Sequence, residues 1–373
     1  MVGPIFTPLV DSLPSTVPFV GPETQERARG RAFAARIGAN ESVFGPSPKA
    51  IAAMAAAAAE VWKYGDPENH ELREAIAAHY GVKPENIAVG EGIDGMFGYL
   101  NRMLVEPGVT VATSLGAYPT FNFHVTGYGG RLVTTPYVDD REDPASLMRL
   151  ARAEKARLIY FANPDNPMGL AWGADAMTRL IESVPERALL CLDEAYVEFA
   201  PAGTAPPINP DDERVIRFRT FSKAHGMAGA RVAYAIAAAP LATAFNKVRN
   251  HFGVNRIAQA GALAALADQE WLETVQRWVV EARERISAIA ASSGLSALPS
   301  ATNFVTIDCG QDGIFAKAVL DGLLARDVFV RMPFVAPQNR CIRVSAGRPA
   351  DLDAFEAALP GALADARAGA GGA

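Results

Sequence analysis

A lysine among small residues is the side chain in this sequence best suited to covalent chemistry. Lys223 follows Phe221 and Ser222 and precedes Gly226 and Gly229, and glycines let a backbone approach a ligand closely. A desolvated amine near other cations can have a lowered pKa and attack a carbonyl group to form a Schiff base. Taken alone, the pattern is equally compatible with an exposed lysine in a loop.

Two side chains near Lys223 have the chemistry of a phosphate site. Arg231 carries a rigid fork of donors that suits phosphate oxygens, and Ser222 supplies a single hydroxyl donor. This segment joins two strand-like apolar runs, Arg214–Phe221 and Val232–Ala239. A loop on such a scaffold can present the lysine and its neighbours to a ligand.

The elements around this segment alternate between strands and helices. From residue 64 onward, apolar runs typical of strands are separated by helical stretches of about 10 to 15 residues, which predicts an α/β fold on a mainly parallel sheet. Ligands of such sheets bind at the carboxyl ends of the strands. The predicted strands of this part are Asn86–Val89, Thr110–Thr113, Arg131–Thr135, Arg157–Ala162, Ala188–Leu192, Val215–Thr220 and Val232–Ala238.

Three polar side chains follow predicted strands of this sheet. Asn166 belongs to the turn Asn163–Gly169, which two X-Pro steps make rigid, and Asp193 comes directly after the strand Ala188–Leu192. Lys223 follows the next strand along the chain. An amide, a carboxylate and an amine at neighbouring strand ends can enclose one flat ligand. By itself, Asp193 is also compatible with a helix N-cap.

In combination, these motifs resemble the signature of the fold-type I enzymes that use pyridoxal 5'-phosphate, in the aminotransferase class I and II group. The order is Asn-Pro-x-Asn-Pro-x-Gly from residue 163, Asp-Glu-Ala-Tyr from residue 193 and Ser-Lys-Ala-x-Gly-x-Ala-Gly-x-Arg from residue 222. The resemblance covers about residues 38–350. It implies pyridoxal phosphate as the cofactor and a large domain with a mainly parallel sheet beside a smaller α+β domain.

The resemblance also implies a role for each residue around the cofactor ring. Lys223 would bind the cofactor covalently and then move a proton at the substrate Cα as general base and acid. Asp193 would pair with the ring nitrogen, and Asn166 and Tyr196 would hydrogen-bond the phenolic oxygen. Tyr118 would stack on the ring, although a lone tyrosine also suits core packing.

The cofactor phosphate is expected at the start of a helix. Gly92 lies in a glycine turn before that helix, and the backbone amides of Ile93 and Asp94 would hold the phosphate at its positive end. Ser222 and Arg231 would complete the phosphate cup. A glycine turn alone is weak evidence, so this expectation depends on the resemblance.

Within this group, the sequence is most similar to the histidinol-phosphate aminotransferase family. Arg343 would then bind a substrate α-carboxylate and Arg331 a substrate phosphate, with Asn40 as a further substrate contact. Tyr64 would reach the cofactor phosphate of a second subunit, which makes a homodimer the active unit. The matching segments are Ala39–Glu41, Gly45–Pro48, Lys63–Gly65, Asp193–Phe199 and Ile342–Arg348.

One residue departs from that family's pattern. Where the family often has Pro-Tyr near the N-terminus, this sequence has Pro18-Phe19, and a phenylalanine cannot donate a hydrogen bond to a phosphate. Phe19 remains a candidate substrate contact. The expected reaction is therefore transamination between histidinol phosphate and 2-oxoglutarate. An alternative is transamination with an aromatic or other amino acid as the substrate. The remaining alternatives are decarboxylation of an amino-acid phosphate and a sensor domain that binds the cofactor without turnover.

The expected domains follow the change of pattern along the chain. Residues 1–45 would form an N-terminal arm, with the helix Glu23–Ala35, and part of the small domain. Residues 46–255 would form the large domain that binds pyridoxal phosphate, and residues 256–373 the C-terminal small domain. The latter begins with a long helical run that is interrupted near Asp268.

Composition disfavours several other classes of function. The 373 residues carry a net charge of −6 with scattered lysines and arginines, so nucleic acid and anionic membranes are not expected partners. Neither the three cysteines nor the histidines have metal-ligand spacing, which predicts buried free thiols, no metal site and a cytoplasmic protein. We expect no secretory signal and no membrane span. The expected partners are an amino donor, a 2-oxo acid and a second copy of the chain.

Overall fold

The computed structural model describes residues 5–15 and 20–370, in which helices and strands alternate. The helices are α1 (Pro8–Ser12), α2 (Pro22–Arg29), α3 (Pro48–Ala58), α4 (His70–Tyr80), α5 (Gly92–Leu104), α6 (Pro119–Gly127), α7 (Pro144–Ala153), α8 (Ala174–Glu182), α9 (Ala239–Ala244), α10 (Arg256–Ala267), α11 (Gln269–Ser292), α12 (Gly313–Ala325) and α13 (Pro349–Ala370). The strands are β1 (Ala35–Arg36), β2 (Ile87–Gly90), β3 (Thr110–Ser114), β4 (Arg131–Thr135), β5 (Leu158–Ala162), β6 (Leu189–Asp193), β7 (Val215–Thr220), β8 (Ala233–Ile236), β9 (Ser296–Ala297), β10 (Phe304–Asp308), β11 (Val328–Phe329) and β12 (Cys341–Ser345).

A seven-stranded sheet lies at the centre, in the order β2-β8-β7-β6-β5-β3-β4. The strands from β7 to β4 run parallel to their neighbours, whereas β8 is antiparallel to both β7 and β2. Because β8 is reversed relative to the other six, its first residue lies at the same edge of the sheet as their last residues. This mainly parallel sheet confirms the predicted α/β class.

Helices cover both faces of the central sheet. Along β5, Leu158 and Tyr160 pack into a core with α5 and α6, while Ile159 and Phe161 pack into a second core with α7 and α8. All four side chains are fully buried. Burial on both faces explains why these strands are apolar along their whole length instead of alternating with polar residues.

A smaller unit follows the central sheet in sequence. Its antiparallel sheet has the order β12-β10-β9; α11 and α12 pack against this sheet, and α13 packs on α12. The short strand β1 pairs in parallel with β11, so the beginning of the chain joins the C-terminal part. This pairing brings the segment that follows β1 close to the carboxyl edge of the central sheet.

Two predicted helices have different outcomes. The long C-terminal run is interrupted at Asp268, between α10 and α11, which confirms the predicted break. The predicted helix Glu23–Ala35 is wrong at its C-terminal end, because Gly30 adopts a left-handed conformation (φ 71°) and its amide donates to the carbonyl of Glu26. Ala35 belongs to β1 instead.

The cysteines and the helices bear on two expectations from composition. Cys191, Cys309 and Cys341 are buried free thiols, as predicted. Among residues 5–15 and 20–370, no helix combines the length and the apolar character that crossing a lipid bilayer requires.

Candidate active site

The polar residues of the three motifs come together at the carboxyl edge of the central sheet. Asp193 is the last residue of β6, Asn166 lies in the turn after β5, and Lys223 follows β7. Arg231 precedes β8, and the reversed direction of that strand brings it to the same edge. Strand order and direction therefore unite residues that are far apart in sequence.

A cavity of about 340 Å³ opens at this edge, lined by residues of the central sheet and of the C-terminal unit. Most of the site residues predicted from the sequence line it. They are Asn40, Ile93, Asp94, Tyr118, Asn166, Asp193, Tyr196, Ser222, Lys223, Arg231, Arg331 and Arg343.

The amine of Lys223 lies in this cavity. Its Nζ donates a hydrogen bond to the backbone oxygen of Asn40 at 3.0 Å and lies 5.6 Å from the ring centre of Tyr196. Burial, together with the nearby Arg343 guanidinium, lowers the pKa of Lys223 to about 8. A substantial fraction of the amine is therefore neutral near pH 7 to 8, and the neutral form is the one that attacks carbonyl groups.

The carboxylate of Asp193 is buried and held in one orientation. It accepts hydrogen bonds from the hydroxyl of Tyr160 at 2.8 Å and from the backbone amide of Ala195 at 2.9 Å. Burial raises the pKa of Asp193 to about 6, although these two donors oppose the shift. The group is thus mostly ionised at pH 7 and able to pair with a protonated ring nitrogen.

The phenol of Tyr196 has two amide donors beside it. Its oxygen accepts hydrogen bonds from Nδ2 of Asn40 at 3.1 Å and from Nδ2 of Asn166 at 3.4 Å. Burial raises the pKa of Tyr196 to about 12, so the phenol remains protonated. With both amides donating to its oxygen, the Tyr196 hydrogen is available to an acceptor in the cavity.

The beginning of α5 and the side chain of Arg231 form the predicted phosphate cup. Gly92 has φ +81°, and a Cβ atom at this position would lie 2.2 Å from Nη2 of Arg231. A side chain there would have to adopt a left-handed backbone conformation and displace the guanidinium, which closely approaches the first turn of the helix. Ile93 and Asp94 follow in that turn, and Ser222 is buried beside Arg231 in the cavity lining.

A tyrosine and a histidine lie next to this phosphate cup. Tyr118 precedes α6 as its N-cap residue, and burial raises its pKa to about 12. His124, further along α6, places Nε2 at 3.0 Å from Oδ1 of Asp94. This contact joins α6 to the first turn of α5, the element that carries the cup.

Arg343 contributes a guanidinium to the cavity lining. Its Nη1 donates to Oδ1 of Asn166, and the guanidinium carbon lies 5.1 Å from the ring centre of Phe304. Its Nε is buried without a hydrogen-bond partner among the described residues. Burial lowers the pKa of Arg343 to about 10. Because an unsatisfied buried donor is costly, the geometry favours an anionic ligand at this guanidinium.

Arg331 lies beside Arg343. Their backbones exchange two hydrogen bonds, of 3.2 and 2.6 Å, and Nη2 of Arg331 donates to the carbonyl of Val20 at 2.8 Å. With Arg231 and Lys223, these residues put four cationic groups in one cavity lining. Such a cavity suits a ligand set with more than one anionic group.

Of the predicted site residues that the structure describes, two are not in the cavity lining. Gly92 lies in the first turn of α5, which the guanidinium of Arg231 approaches closely. The side chain of Tyr64 is 76% exposed and packs on Phe252, with the ring centres 4.6 Å apart. Phe19 falls outside the described residues. Arg256 donates to the backbone oxygen of Tyr64 at 2.8 Å.

The sequence motifs missed several residues that hold the site together. Tyr160 bonds Asp193, and its hydroxyl within an apolar strand was a usable signal, since buried hydroxyls need partners. Asn303 and Ser345 fix Asn40: Asn303 donates to its carbonyl at 3.1 Å and Ser345 to its Oδ1 at 3.0 Å. Ser345 is the last residue of β12 and Asn303 directly precedes β10, so only the fold identifies them.

The sheet order, with β8 reversed, and the convergence of Lys223 and Asp193 at its carboxyl edge define the class of protein. They are the features of the fold-type I enzymes that depend on pyridoxal phosphate. The family model for aminotransferase class I and II matches residues 36–359, and the chain belongs to this family.

Relatives and solved structures extend this comparison. Histidinol-phosphate aminotransferase 1 of Mesorhizobium japonicum is 35% identical, with 87% of this chain and 89% of that protein covered. The aromatic amino acid aminotransferase of Thermobifida fusca is 36% identical, with 94% and 95% covered. The crystal structure of histidinol-phosphate aminotransferase from Sinorhizobium meliloti, in complex with pyridoxal 5'-phosphate, is 54% identical, has a TM-score of 0.94 and covers 96% of this chain and 97% of that one.

Proposed function

We propose that this chain catalyses pyridoxal phosphate-dependent transamination, with histidinol phosphate as the amino donor and 2-oxoglutarate as the acceptor. The observation that carries the proposal is the Lys223 amine, with its lowered pKa, in a cavity that also holds the Asp193 carboxylate and three arginines. The names of the relatives in Mesorhizobium japonicum and Sinorhizobium meliloti support this donor.

The residues of the cavity fit pyridoxal phosphate. The close approach of Arg231 to Gly92 leaves a guanidinium and a helix N-terminus facing one small space, which suits a phosphate. The buried Asp193 carboxylate suits a protonated ring nitrogen, and the Tyr196 hydroxyl suits a phenolic oxygen. When bound, the cofactor supplies an electron-accepting ring that stabilises negative charge at the substrate Cα.

Side chains of the protein itself then transfer protons and bind the substrate. Lys223 removes the proton from the substrate Cα as a neutral amine and returns a proton as a cation, which its pKa of about 8 permits near neutral pH. Asp193 keeps the ring nitrogen protonated by pairing with it. Arg343 orients the substrate through its carboxylate, since Nε and the second terminal nitrogen can bind two oxygens at once.

Arg343 and Arg331 lie side by side and suit two substrates that carry different anionic groups. Glutamate and 2-oxoglutarate carry an α-carboxylate for Arg343. Histidinol phosphate has a phosphate and no α-carboxylate, and Arg331, whose backbone pairs with that of Arg343, would bind this phosphate. A phosphate with two guanidiniums within reach is a strong charge-assisted contact.

The substitution Arg331→Ala tests this assignment. Loss of a hydrogen bond to a charged group is worth about 1.5–3 kcal/mol, so the KM for histidinol phosphate should rise by about 10- to 150-fold. The KM for 2-oxoglutarate should change by less than about threefold. Arg149→Ala, an exposed arginine on α7, serves as the control. Equal increases of both KM values would contradict a phosphate-binding role for Arg331.

An aromatic amino acid is the second candidate donor. The Thermobifida fusca relative, named an aromatic amino acid aminotransferase, is as similar to this chain as the relative from Mesorhizobium japonicum. Comparison of kcat/KM for histidinol phosphate and phenylalanine separates the candidates. A higher value for phenylalanine would replace the donor and keep the reaction class.

We also propose that the active unit is a homodimer in the cytoplasm. A group of apolar side chains close together in sequence is exposed: Val61 by 62%, Trp62 by 76% and Tyr64 by 76%. Phe252, which packs on Tyr64, is 49% exposed. Apolar clusters of this kind mark protein interfaces. In such a dimer, Tyr64 would contact the cofactor phosphate of the second subunit.

A further inference from the structure

We propose that Asp165 is a positioning residue: with Tyr137 it holds the turn that carries Asn166, and through Asn166 it orients Arg343 for the substrate carboxylate. The inference rests on the proposed function, because it takes Arg343 as the group that binds this carboxylate. Neither Asp165 nor Tyr137 lines the cavity, so both act from behind its wall.

Among the described residues, few side-chain contacts fix the orientation of Arg343. Its recorded hydrogen bond runs from Nη1 to Oδ1 of Asn166, and its guanidinium lies over the ring of Phe304. The Phe304 contact restrains the plane of the guanidinium but not its direction within that plane. The position of the Asn166 oxygen therefore sets where the remaining nitrogens of Arg343 point.

The orientation of Asn166 is fixed at both ends of its amide. Oδ1 accepts from Arg343, and Nδ2 donates to the hydroxyl of Tyr196 at 3.4 Å. Rotating the amide by half a turn would place its NH₂ group against the guanidinium and lose the bond to Arg343. Any displacement of Asn166 is thus passed directly to Arg343.

Asp165 anchors the turn on the side of the central sheet. Its side chain is buried, with 3% of the residue exposed, and its carboxylate accepts from the Tyr137 hydroxyl at 2.8 Å and the Met168 amide at 3.0 Å. The pKa of Asp165 is raised to about 7 by burial, and its neighbours Glu142, Tyr137 and Arg343 face it. A carboxylate that is this costly to bury needs both of its donors.

The other side of the same turn is attached to the smaller sheet. Oγ1 of Thr306 donates to the carbonyl of Pro167 at 2.8 Å, and the amide of Ala301 donates to the carbonyl of Gly169 at 2.8 Å. The turn is therefore held between the two sheets. If the Tyr137 bond is lost, the turn keeps its bonds to Thr306 and Ala301 and its continuity with β5, but it loses the side-chain hydrogen bond to the segment after β4.

The first experiment removes a single hydroxyl with Tyr137→Phe in the enzyme loaded with pyridoxal phosphate. One hydrogen bond is worth about 0.5–1.5 kcal/mol, so we expect the KM for glutamate and for 2-oxoglutarate to rise by about 3- to 10-fold. The kcat should stay within about twofold, and the absorbance of the bound cofactor should not change. Asp165→Asn, which keeps the volume and one acceptor, should change the KM values in the same direction.

The matched control is Tyr80→Phe. The Tyr80 hydroxyl also makes hydrogen bonds inside the fold, one with the Tyr234 hydroxyl at 2.7 Å and one accepted from Arg219 at 3.0 Å, and both lie away from the turn. This variant should lower thermal stability while its KM for glutamate remains that of the wild type. An equal rise of KM in Tyr80→Phe would overturn the proposal, since a general loss of stability would then explain the effect.

A double-mutant cycle tests whether Asp165 and Tyr137 act through Asn166. In an Asn166→Ala background, Tyr137→Phe should have almost no further effect on the KM for glutamate, because the connecting residue is already absent. Additive effects would overturn the proposal. An unchanged KM in Tyr137→Phe would overturn it while the proposed function stands, whereas a wild-type enzyme that converts no amino acid would overturn both.

Discussion

Two buried ionisable groups at the carboxyl edge of the sheet have pKa values shifted towards each other. Burial penalises the charged form of either group, which lowers the pKa of Lys223 to about 8 and raises that of Asp193 to about 6. The pKa values of both groups therefore lie about one unit from neutral pH, where groups that exchange protons are most effective. Clusters of such shifted groups in a cavity are typical of catalytic sites.

The lowered pKa of Lys223 predicts how cofactor capture depends on pH. In the cofactor-free enzyme, the rate of binding pyridoxal phosphate should rise with pH through a midpoint near 8 and level off above it, because the neutral amine is the nucleophile. Stopped-flow absorbance measures this rate. Arg343→Met should move the midpoint upward, since it removes a nearby cation. A rate that still climbs at pH 10 would show that Lys223 has an ordinary pKa.

The role proposed for Asp193 predicts that Asp193→Asn lowers the reaction rate far more than it lowers the affinity for the cofactor. The variant should retain bound cofactor through the phosphate cup, but kcat should fall by several orders of magnitude because a neutral amide no longer keeps the ring nitrogen protonated. Single-turnover absorbance with glutamate measures the effect. Tyr160→Phe, which removes only one donor to the carboxylate, is the control and should cost far less. A loss below about tenfold in Asp193→Asn would contradict the role.

At the scale of elements, the first turn of α5 and the reversed strand β8 define the phosphate end of the cavity. The reversal of β8 lets Arg231, at its start, meet the beginning of α5 at the carboxyl edge. A side chain at Gly92 would occupy the space that the Arg231 guanidinium uses. Two elements distant in sequence therefore share one small anion site.

Gly92→Ala is the corresponding prediction. Its Cβ would lie 2.2 Å from Nη2 of Arg231, so the guanidinium must move and the Kd for pyridoxal phosphate should rise by at least about tenfold. Fluorescence titration of the cofactor-free enzyme gives the Kd. Gly108→Ala is a matched control, because Gly108 also has a positive φ (+90°) but open space around its Cβ position. The same loss of affinity in both variants would attribute the effect to backbone strain alone.

At the scale of the whole molecule, the cavity joins parts of the chain that are far apart. Asn40, which bonds both Lys223 and Tyr196, is itself held by Ser345 of the smaller sheet and by Asn303, which directly precedes β10. The two sheets therefore assemble the site jointly. The division at residues 45 and 255 stays a prediction. The proposed dimer would add a third contributor, the exposed Tyr64 of a second copy.

Subunit mixing tests that contribution. Tyr64→Ala and Lys223→Ala should each be nearly inactive alone, for different reasons. In a mixed dimer, one site would combine an intact Lys223 with an intact Tyr64 from the other subunit, so activity should reappear after the two variants are unfolded and refolded together. Recovery of a substantial fraction of wild-type kcat, up to about a quarter for random pairing, is expected. No recovery, or full activity of Tyr64→Ala alone, would contradict a shared site.

The sequence by itself determined the parts of this protein that depend on local pattern. Apolar runs between helices predicted the α/β sheet, and the turns after them predicted that Asn166, Asp193 and Lys223 would share one edge, because parallel strands end together. What depends on packing between distant segments needed the tertiary structure. The α2 helix ends early at Gly30, Tyr160 bonds Asp193 through a strand pairing, and the turn at Asp165 is held between two sheets. The pKa shifts belong to this second group, since burial, their main cause, is a property of the folded chain.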